Sequence, residues 1–469
     1  MHAAPQLPSA APARRNSPFL ETAFSIGAQL CRDALWDGRR CTWLGPSSEL
    51  VDGEWKVIPR TYGPEVYHGT AGNVLFLSRL YRLTDEPLLR AVAQGAARQA
   101  LSRLEAVEPA MRVGFYTGWA GIAYACMELG EATEDERWIT EGRKIFHAMG
   151  EESLEDQAID VVAGLAGAIG ALLSVHQRPA RDGERLLDLA VRLGEVLLNK
   201  AVQRDRGWSW DGMAGMAQEH LNGFSHGVAG IAWSLLELYR ATADDRFKEA
   251  ALEGFRYERS WYSPQHENWP DLRDPETMQA PVNPNADGFT LTYPLLWCHG
   301  APGIGLSRLR ACEILGDEIL GDGILRAEAE AALRSTTRDL LSPNSGTGNY
   351  SLCHGLAGNA ELLIYASQIL NQPSLRQAAE QIGWQGIASH ERPGVPWTSG
   401  MLEAKEAPNL MLGKTGTGYF YLRLYDPEAV PSLLILPQDG EASAVASDRA
   451  PGQDRAASGL RAEARSSAA

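Results

Sequence analysis

The sequence of 469 residues lacks several features that would assign it to common protein classes. No apolar run approaches the ~20 residues that a helix needs to cross a bilayer, and residues 1–17 lack the apolar core of a signal peptide. Basic residues are the minority, since 43 Lys and Arg stand against 59 Asp and Glu, a formal charge of −16. Because nucleic-acid binding needs a basic surface, this balance argues against a nucleic-acid partner. We expect a cytoplasmic protein without a membrane span.

Cysteine is also scarce, and its spacing is not that of a disulfide scaffold. The six cysteines are Cys31, Cys41, Cys126, Cys298, Cys312 and Cys353. Free thiols in a reducing compartment are therefore the natural expectation. A phosphate-binding glycine loop followed by Lys-Ser/Thr is absent as well, so no nucleotide chemistry is indicated.

Glycine pairs, in contrast, recur along the chain. Seven Gly-x-x-Gly steps have first glycines 46 to 73 residues apart. The steps begin at Gly69, Gly118, Gly164, Gly227, Gly300, Gly355 and Gly413. Each precedes a helical apolar run, such as 231–239, and then a second amphipathic helix, such as 247–255. We predict seven helical hairpins, none of which can bury its apolar face alone.

Short polar breaks separate the two helices of a hairpin, and we expect them to cap the second helix. Examples are Thr84-Asp85, Thr133-Glu134-Asp135 and Asp244-Asp245. The hairpins can stack as an open solenoid or close into a ring. Small residues at each inner helix start allow close convergence, which favours an all-α toroid of about fourteen helices in two layers. The glycines could be mere turn and C-cap residues, but seven recurrences exceed that need.

The repeat predicts one domain over residues 18–437. Alanine, proline, serine and glycine dominate the two ends, so we expect disordered tails at 1–17 and 438–469.

Two of the glycine steps open with the same triplet, at Cys298-His299-Gly300 and Cys353-His354-Gly355. Thiolate and imidazole on equivalent corners of a repeating scaffold can surround one ion, and zinc favours that ligand set. The same corner of the fourth repeat carries His226. We expect these side chains to face a common cavity.

The triplets lie in longer segments that resemble the lanthionine synthetase cyclases, LanC, and still more the C-terminal cyclase half of the bifunctional LanM synthetases. The matching segments are 67–72, 224–233, 257–260, 268–273, 297–305, 351–355, 426–427 and 430–433. The likeness covers about residues 18–437. It implies an α/α toroid with a single zinc that activates peptide thiols for addition to dehydroalanine or dehydrobutyrine, closing thioether rings.

Carried over by position, the resemblance places the zinc ligands at Cys298, Cys353 and His354. Three protein ligands with an open fourth position form the catalytic rather than the structural zinc pattern. Coordination deprotonates a thiol whose pKa is ordinarily near ~8.5. The alternative is a closed structural site with His299 as the fourth ligand.

The resemblance also maps a catalytic histidine to His226 and a catalytic-site aspartate to Asp160. Addition leaves an enolate that must gain a proton at the α carbon, and an imidazole of ordinary pKa near ~6.5 suits that transfer. Asp160 could orient His226 or deprotonate the incoming thiol. A helix cap or a core hydrogen bond remains the plain alternative for each. His68, on the corner of the first repeat, is expected to be structural.

Single-subunit LanC proteins carry an arginine four residues before the first zinc cysteine, where this chain has Pro294. Arg259 or Arg273 could take over an anion-stabilising role. Both lie in a polar segment, 257–297, that we consider as a peptide-docking lid. Its aromatic residues include Trp261, Tyr262 and Trp269.

Three functions compete for this sequence. The first is a zinc-dependent peptide cyclase acting on a dehydrated precursor peptide, with a separate dehydratase and an exporter as partners. The second adds glutathione to dehydroamino acids. The third is a peptide-binding scaffold with a structural zinc. Sugar-processing toroids depend on paired cavity carboxylates, and no convincing pair is present. The LanM-like segments favour the first function, the peptide cyclase.

Overall fold

The computed structural model describes residues 17–436 except 52–53, 179–181, 214–216, 218, 274–290, 320–322, 343–347, 393 and 402–405. Fourteen α-helices account for most of this described chain. They are α1 (Pro18–Asp33), α2 (Thr70–Thr84), α3 (Pro87–Leu101), α4 (Trp119–Thr133), α5 (Glu136–Met149), α6 (Leu165–Val175), α7 (Gly183–Asn199), α8 (Val228–Thr242), α9 (Asp245–Arg259), α10 (Ala301–Ile319), α11 (Ile324–Leu340), α12 (Leu356–Ile369), α13 (Pro373–His390) and α14 (Lys414–Tyr425).

Six short strands form three separate antiparallel pairs at the periphery. They are β1 (Leu35–Asp37) with β2 (Arg40–Thr42), β3 (Leu44–Val51) with β4 (Glu54–Thr61), and β5 (Val202–Arg204) with β6 (Gly207–Ser209). The β1–β2 pair packs on α3, where the Cys41 thiol donates to the carbonyl of Val92. The helices therefore determine the architecture, and the predicted all-α class is confirmed.

The helices pack as seven antiparallel pairs. Six pairs are consecutive in the chain, from α2–α3 to α12–α13, and the seventh joins α14 to α1 from opposite ends of the sequence. The seven even-numbered helices each contact the next, and α14 contacts α2 again. This last contact closes the ring, so the structure is the α/α toroid and not the open solenoid.

A continuous circle of backbone hydrogen bonds marks the closure. The residue two positions before each first glycine donates its N–H to the carbonyl of the equivalent residue in the next repeat, at 2.7–3.3 Å. The circle runs through Tyr67, Tyr116, Val162, Ser225, Cys298, Cys353 and Met411, and then returns to Tyr67. Because every repeat contributes one donor and one acceptor, the seven inner corners are held at fixed spacing around the cavity.

The second glycine of each step is required by the tightness of this corner. A Cβ at any of these glycines would collide with the carbonyl oxygen six residues earlier in the same repeat. In the second repeat, for example, a Cβ on Gly121 would meet the carbonyl of Phe115. The recurrence of glycine is therefore steric, since any side chain would push the corner away from the helix.

Deep in the ring, the inner helices carry a layer of polar side chains ten residues after each first glycine. The layer consists of Arg79, Glu128, Ser174, Glu237, Arg310, Tyr365 and Arg423. Neighbouring helices pair through it: Arg310 of α10 binds Glu237 of α8 at 2.6 Å, and Arg423 of α14 binds Glu361 of α12 at 2.7 Å. Because a buried charge left without its partner costs about 3–5 kcal/mol, we expect these pairs to hold adjacent helices in register.

Residues 430–436, which follow α14, fill the centre of the ring. The hydroxyl of Tyr116 donates to the carbonyl of Leu433 at 2.6 Å, and the indole N–H of Trp297 donates to Leu434 at 3.2 Å. Leu433 and Leu434 are buried against the inner corners of several repeats. The segment thereby supports the cavity from behind.

The predicted caps are right in two hairpins and wrong in one. Asp135 and Asp244 accept from the backbone N–H two residues ahead and cap α5 and α9. Asp85 instead ends α2 in the left-handed conformation, φ 53°, and Glu86 takes the N-cap position before Pro87. Proline at the first helical position has a fixed φ that suits a helix start, so Pro87 rather than a capping aspartate marks the beginning of α3.

The tails predicted at 1–17 and 438–469 lie outside the described residues except for Ser17, so they stay a prediction. Among the helices that the structure describes, none is both long and apolar enough to cross a membrane.

Candidate metal centre

The circle of inner corners places the chemistry-bearing residues on one face. Its members include Cys298 of the fifth repeat and Cys353 of the sixth, and these repeats are neighbours. The next residue along the chain stands directly before the first glycine in each repeat. That set is His68, Thr117, Ala163, His226, His299, His354 and Leu412.

Cys298, Cys353 and His354 come together at this corner. The two Sγ atoms and one imidazole nitrogen all lie within 4.8 Å of one another. The Cys298 N–H donates to the carbonyl of Cys353 at 3.3 Å, so the backbone circle itself sets the distance between the two thiols. Both cysteines are buried and His354 is half-buried.

The donor set fits a zinc ion. Zn–S bonds of ~2.3 Å put two tetrahedral ligand atoms ~3.7 Å apart, so the group needs little adjustment to share one ion. Among the described residues, no fourth His, Cys, Asp or Glu joins the group, and this includes His299. The arrangement matches the three-ligand pattern more closely than the closed site.

A backbone carbonyl orients the imidazole of His354. Its Nε2 lies 2.8 Å from the oxygen of Gly400, in the loop between α13 and α14. This contact fixes the proton on Nε2 and leaves Nδ1 to face the thiols, as outer partners of metal-binding histidines commonly do. Sequence reasoning missed Gly400, because the loop carries no motif that points to His354.

Tyr67 is a second residue that sequence reasoning missed. Its hydroxyl donates to Cys353 Sγ at 2.9 Å, across the ring from the first repeat. Burial and the nearby Cys353 charge raise the pKa of Tyr67 well above its ordinary value, so it remains a donor. The signal was present, since Tyr67 holds the same repeat position as Cys298 and Cys353.

The two thiols differ in acidity. A hydrogen bond from the Cys298 thiol lowers the pKa of Cys353, and the Tyr67 hydroxyl and the charge of Arg273 add to this effect. The same hydrogen bond, together with burial, raises the pKa of Cys298. A cation bound between the two sulfurs would displace their thiol protons.

His226 forms a tight pair with Asp160 beside the thiols. Its Nδ1 lies 2.7 Å from Asp160 Oδ2, and its side chain is 25% exposed. Burial opposes protonation of His226, but the Asp160 charge and hydrogen bond outweigh it and raise the imidazole pKa. The other carboxylate oxygen of Asp160 accepts from the backbone N–H of Ala163 at 2.6 Å, before α6. Asp160 therefore holds both the turn and the histidine.

His299 turns away from the thiols. Its Nδ1 lies 3.9 Å from Asp271 Oδ1 without a hydrogen bond, and its ring centre is 6.2 Å from that of His226. Burial and the neighbouring Arg273 charge lower the pKa of His299 to about 3. It is a neutral, buried wall of the cavity.

The two arginines that the sequence offered for anion stabilisation, Arg259 and Arg273, lie in different surroundings. Arg259 forms an ion pair with Glu328 of α11, which also binds the buried Arg308. Arg273 enters beside the thiols, and its Nε and Nη2 both bind the carboxylate of Asp271 at 2.6–3.0 Å. Only Arg273 is therefore placed to act at the metal centre.

Other residues that the sequence analysis named lie outside the centre. His68 is exposed and pairs with Glu65 at 3.0 Å rather than with the thiols. Cys126 is buried in α4, and Cys312 lies half-buried on α10. Trp269 is completely buried and cannot contact a docked peptide, so the docking-lid hypothesis is wrong for that residue.

Comparison with known proteins identifies the fold and its relatives. A solved structure of nisin cyclase aligns with a TM-score of 0.55 over 83% of this chain and 94% of that chain, at 19% identity. This likeness confirms the toroid. Among curated proteins, glutathione S-transferase LANCL1 of Danio rerio is 22% identical over 66% of this chain and 82% of its own length.

A second relative is the lacticin 481/lactococcin biosynthesis protein LcnDR2 of Lactococcus lactis subsp. lactis. It is 23% identical over 146 residues, which span 31% of this chain and only 14% of that protein. The profile of the family described as lanthionine synthetase C-like protein matches residues 61–435, a range that holds every residue of the candidate centre. The chain belongs to the lanthionine synthetase C-like family.

Proposed function

We propose that this protein is a zinc-dependent peptide cyclase. It adds cysteine thiolates of a dehydrated precursor peptide to dehydroalanine or dehydrobutyrine and so forms lanthionine or methyllanthionine rings. The observation that carries the proposal is the grouping of Cys298, Cys353 and His354 within 4.8 Å, with the His226–Asp160 pair beside it. The nisin cyclase and lacticin 481 relatives support the same chemistry.

Three residues would hold the metal. Cys298 and Cys353 offer Sγ, and His354 offers Nδ1 because Gly400 engages its Nε2. A bound zinc supplies a thiol that is deprotonated and still nucleophilic at neutral pH. The metal would act on the substrate thiol, while the three protein groups would hold it in place.

The chain's own residues complete the addition. A C–S bond forms at the β carbon, and the electron pair of the C=C bond must end as a C–H bond at the α carbon. His226 holds a proton at Nε2, since Asp160 engages its Nδ1, and we assign it as the donor to the α carbon. Asp160 orients the imidazole of His226 and raises the pKa of that imidazole. Tyr67 holds the Cys353 sulfur in place by its hydroxyl.

A second candidate keeps this chemistry but takes glutathione as the thiol. The LANCL1 relative, which is named a glutathione S-transferase, favours it. The same donor group would serve both thiols, so the two functions differ only in what docks at the cavity.

For the cyclase, the expected partners follow from the substrate. Serine and threonine must lose water before the addition, so we propose a separate dehydratase as the upstream partner and an exporter downstream. The free state of all six cysteines supports a reducing, cytoplasmic setting.

The test is thiol consumption. The purified protein with zinc is incubated with a dehydrated, cysteine-containing peptide, and in parallel with glutathione and a cysteine-free dehydrated peptide. Because cyclisation leaves the mass unchanged, the remaining thiol is measured by alkylation. Loss of alkylation in the first reaction supports the cyclase, and a glutathione adduct in the second supports the alternative. Unchanged thiols in both reactions would leave a binding scaffold and refute the proposed enzyme.

A further inference from the structure

The guanidinium of Arg273 is hydrogen-bonded along only one of its edges. Its Nε and Nη2 form the fork-to-fork contact with Asp271, while Nη1 has no partner among the residues that the structure describes. The side chain is 22% exposed, so the guanidinium is not sealed in the core. An arginine held on one side by a carboxylate is a pre-oriented donor for a second anion.

The guanidinium is fixed in place from several directions. The backbone of Arg273 pairs with Ala217, and Asp271 N–H donates to the carbonyl of Thr292 at 2.9 Å. Asp271 Oδ1 also lies 3.9 Å from His299, the residue next to Cys298. Arg273 is therefore tied to the corner that carries the first thiol.

The positive charge of Arg273 also acts on several groups of the candidate centre. After the larger effects of direct hydrogen bonds and burial, the Arg273 charge lowers the pKa of Cys353, His226, His299 and His354. Arg259, the other arginine considered, is instead paired with Glu328 of α11. Geometry supports the same placement, because Asp271, which binds Arg273, lies 3.9 Å from His299, and the ring of His299 is centred 6.2 Å from that of His226.

We propose that the free Nη1 edge of Arg273 binds the carbonyl oxygen of the dehydroamino acid and stabilises the enolate that forms there. This inference rests on the proposed function. As the thiolate bonds to the β carbon, the C=C electron pair moves toward the carbonyl oxygen, which becomes negative. Arg273 donates a hydrogen bond to that oxygen and keeps its proton. His226 then gives a proton to the α carbon, and the C=O bond is restored.

Preorganised donors act at the place where charge develops, and removal of one such donor typically costs 10²–10³-fold in rate. The Asp271 contact is what keeps Arg273 from turning toward the thiolates, so Asp271 is a positioning residue. If Arg273 only balanced the charge of the thiol pair, its loss would weaken zinc binding and leave the rate of the loaded protein unchanged.

The experiment compares Arg273→Met and Arg273→Lys with the wild type and with Arg334→Met. Arg334 is a matched control because it is an exposed arginine paired with Glu267. Three quantities are measured: bound zinc, the rate of thiol addition at full zinc loading, and binding of two cysteine-free peptides. One peptide carries aminomalonate in place of dehydroalanine, a stable anion whose oxygen lies two bonds from the α carbon, and the other carries alanine.

We expect full zinc loading in all proteins, a rate about 10²–10³-fold lower in Arg273→Met, and a smaller loss in Arg273→Lys. The aminomalonate peptide should bind Arg273→Met at least tenfold more weakly than the wild type, while the alanine peptide binds both equally. Arg334→Met should behave as wild type.

The outcomes separate the two claims. If the wild type consumes thiol and Arg273→Met does so within threefold of its rate, the Arg273 inference is overturned while the proposed function stands. If the wild type consumes no thiol but prefers the aminomalonate peptide through Arg273, the anion site stands and the proposed function fails. Equal binding of both peptides by both proteins, without catalysis, would overturn both.

Discussion

At the scale of single residues, function depends on which atom of each side chain its neighbours leave available. Gly400 engages Nε2 of His354 and leaves Nδ1 toward the thiols, whereas Asp160 engages Nδ1 of His226 and leaves Nε2 toward the cavity. Two histidines at the same repeat position are thus prepared for opposite tasks. His354 is prepared to bind a metal, and His226 is prepared to donate a proton.

Substitution of one thiol should abolish metal binding. In Cys353→Ala we expect bound zinc to fall from about one per chain to below about 0.1, because two ligands hold zinc far more weakly than three. Cys312→Ala is the control, since Cys312 is a free, half-buried cysteine of α10. Zinc is measured by atomic emission after gel filtration. Stoichiometric zinc in Cys353→Ala would show that the metal lies elsewhere.

The acid role assigned to His226 predicts a particular pH dependence. Because Asp160 raises the pKa of His226, the donor stays protonated to a higher pH, and the rate should fall as the pH rises through that raised pKa. His226→Asn should lower the rate by about 10²–10⁴-fold at full zinc loading.

Asp160→Asn tests the same assignment more finely. It removes the charge that raises the His226 pKa, so the alkaline limb of the pH–rate profile should move to lower pH. The amide oxygen of asparagine can still accept from Ala163, which preserves the turn. A limb that stays in place in this variant would contradict the assignment.

The sequence predicts the reactive residues of this site but not the residues that hold them in position. The repeated triplets and the register identify Cys298, Cys353, His354 and His226, because those residue types recur at defined offsets from glycine. Gly400 acts through its backbone carbonyl, which any residue possesses, so no residue pattern reveals it. Asp271 pairs with Arg273 through an irregular segment whose path the helical repeat does not determine.

At the scale of elements, the inner helices are defined at both ends. Each begins where a glycine step closes on the preceding carbonyl, and several end fifteen residues later in a left-handed residue, as at Asp85, Glu134, Ala243 and Asn371. The sequence predicts the helix starts well because only glycine satisfies the steric demand. It predicts the ends poorly, since aspartate, glutamate, alanine and asparagine all occur there.

The steric role of the second glycine gives a stability prediction. Gly121→Ala places a Cβ against the carbonyl of Phe115, and we expect the free energy of unfolding to fall by about 1–3 kcal/mol. Gly150→Ala is the control, because its nearest neighbour would be the carbonyl of His147 at 3.2 Å and its φ of −67° suits any residue. Urea unfolding followed by circular dichroism measures both. Equal stability of the two variants would refute the steric account.

The buried ion pairs between inner helices give a second stability prediction. Arg423→Met leaves Glu361 buried without its partner, and we expect a loss of about 3–5 kcal/mol. Arg326→Met removes a solvent-exposed pair with Glu330 and should cost less than about 0.5 kcal/mol. A loss below about 1 kcal/mol in Arg423→Met, measured by the same urea unfolding, would mean that the pair does not hold α12 and α14 together.

At the scale of the whole molecule, closure makes the site. The circle of corner hydrogen bonds brings Tyr67 of the first repeat within reach of Cys353 of the sixth, a contact that an open solenoid could not form. The sequence predicts seven hairpins but not how the seventh is completed. Its outer helix is α1, which ends more than 380 residues before α14 begins. The sequence of neither helix indicates that the two pair.

The most direct test of the account is zinc X-ray absorption of the protein with and without a thiol substrate. We predict one zinc per chain with two sulfur and one nitrogen ligand from the protein and a fourth light ligand, with Zn–S distances of ~2.3 Å. Addition of a cysteine-containing peptide should replace the light ligand by a third sulfur. A shell already filled by four protein ligands, or one that does not change with the thiol, would contradict sulfur activation at Cys298, Cys353 and His354.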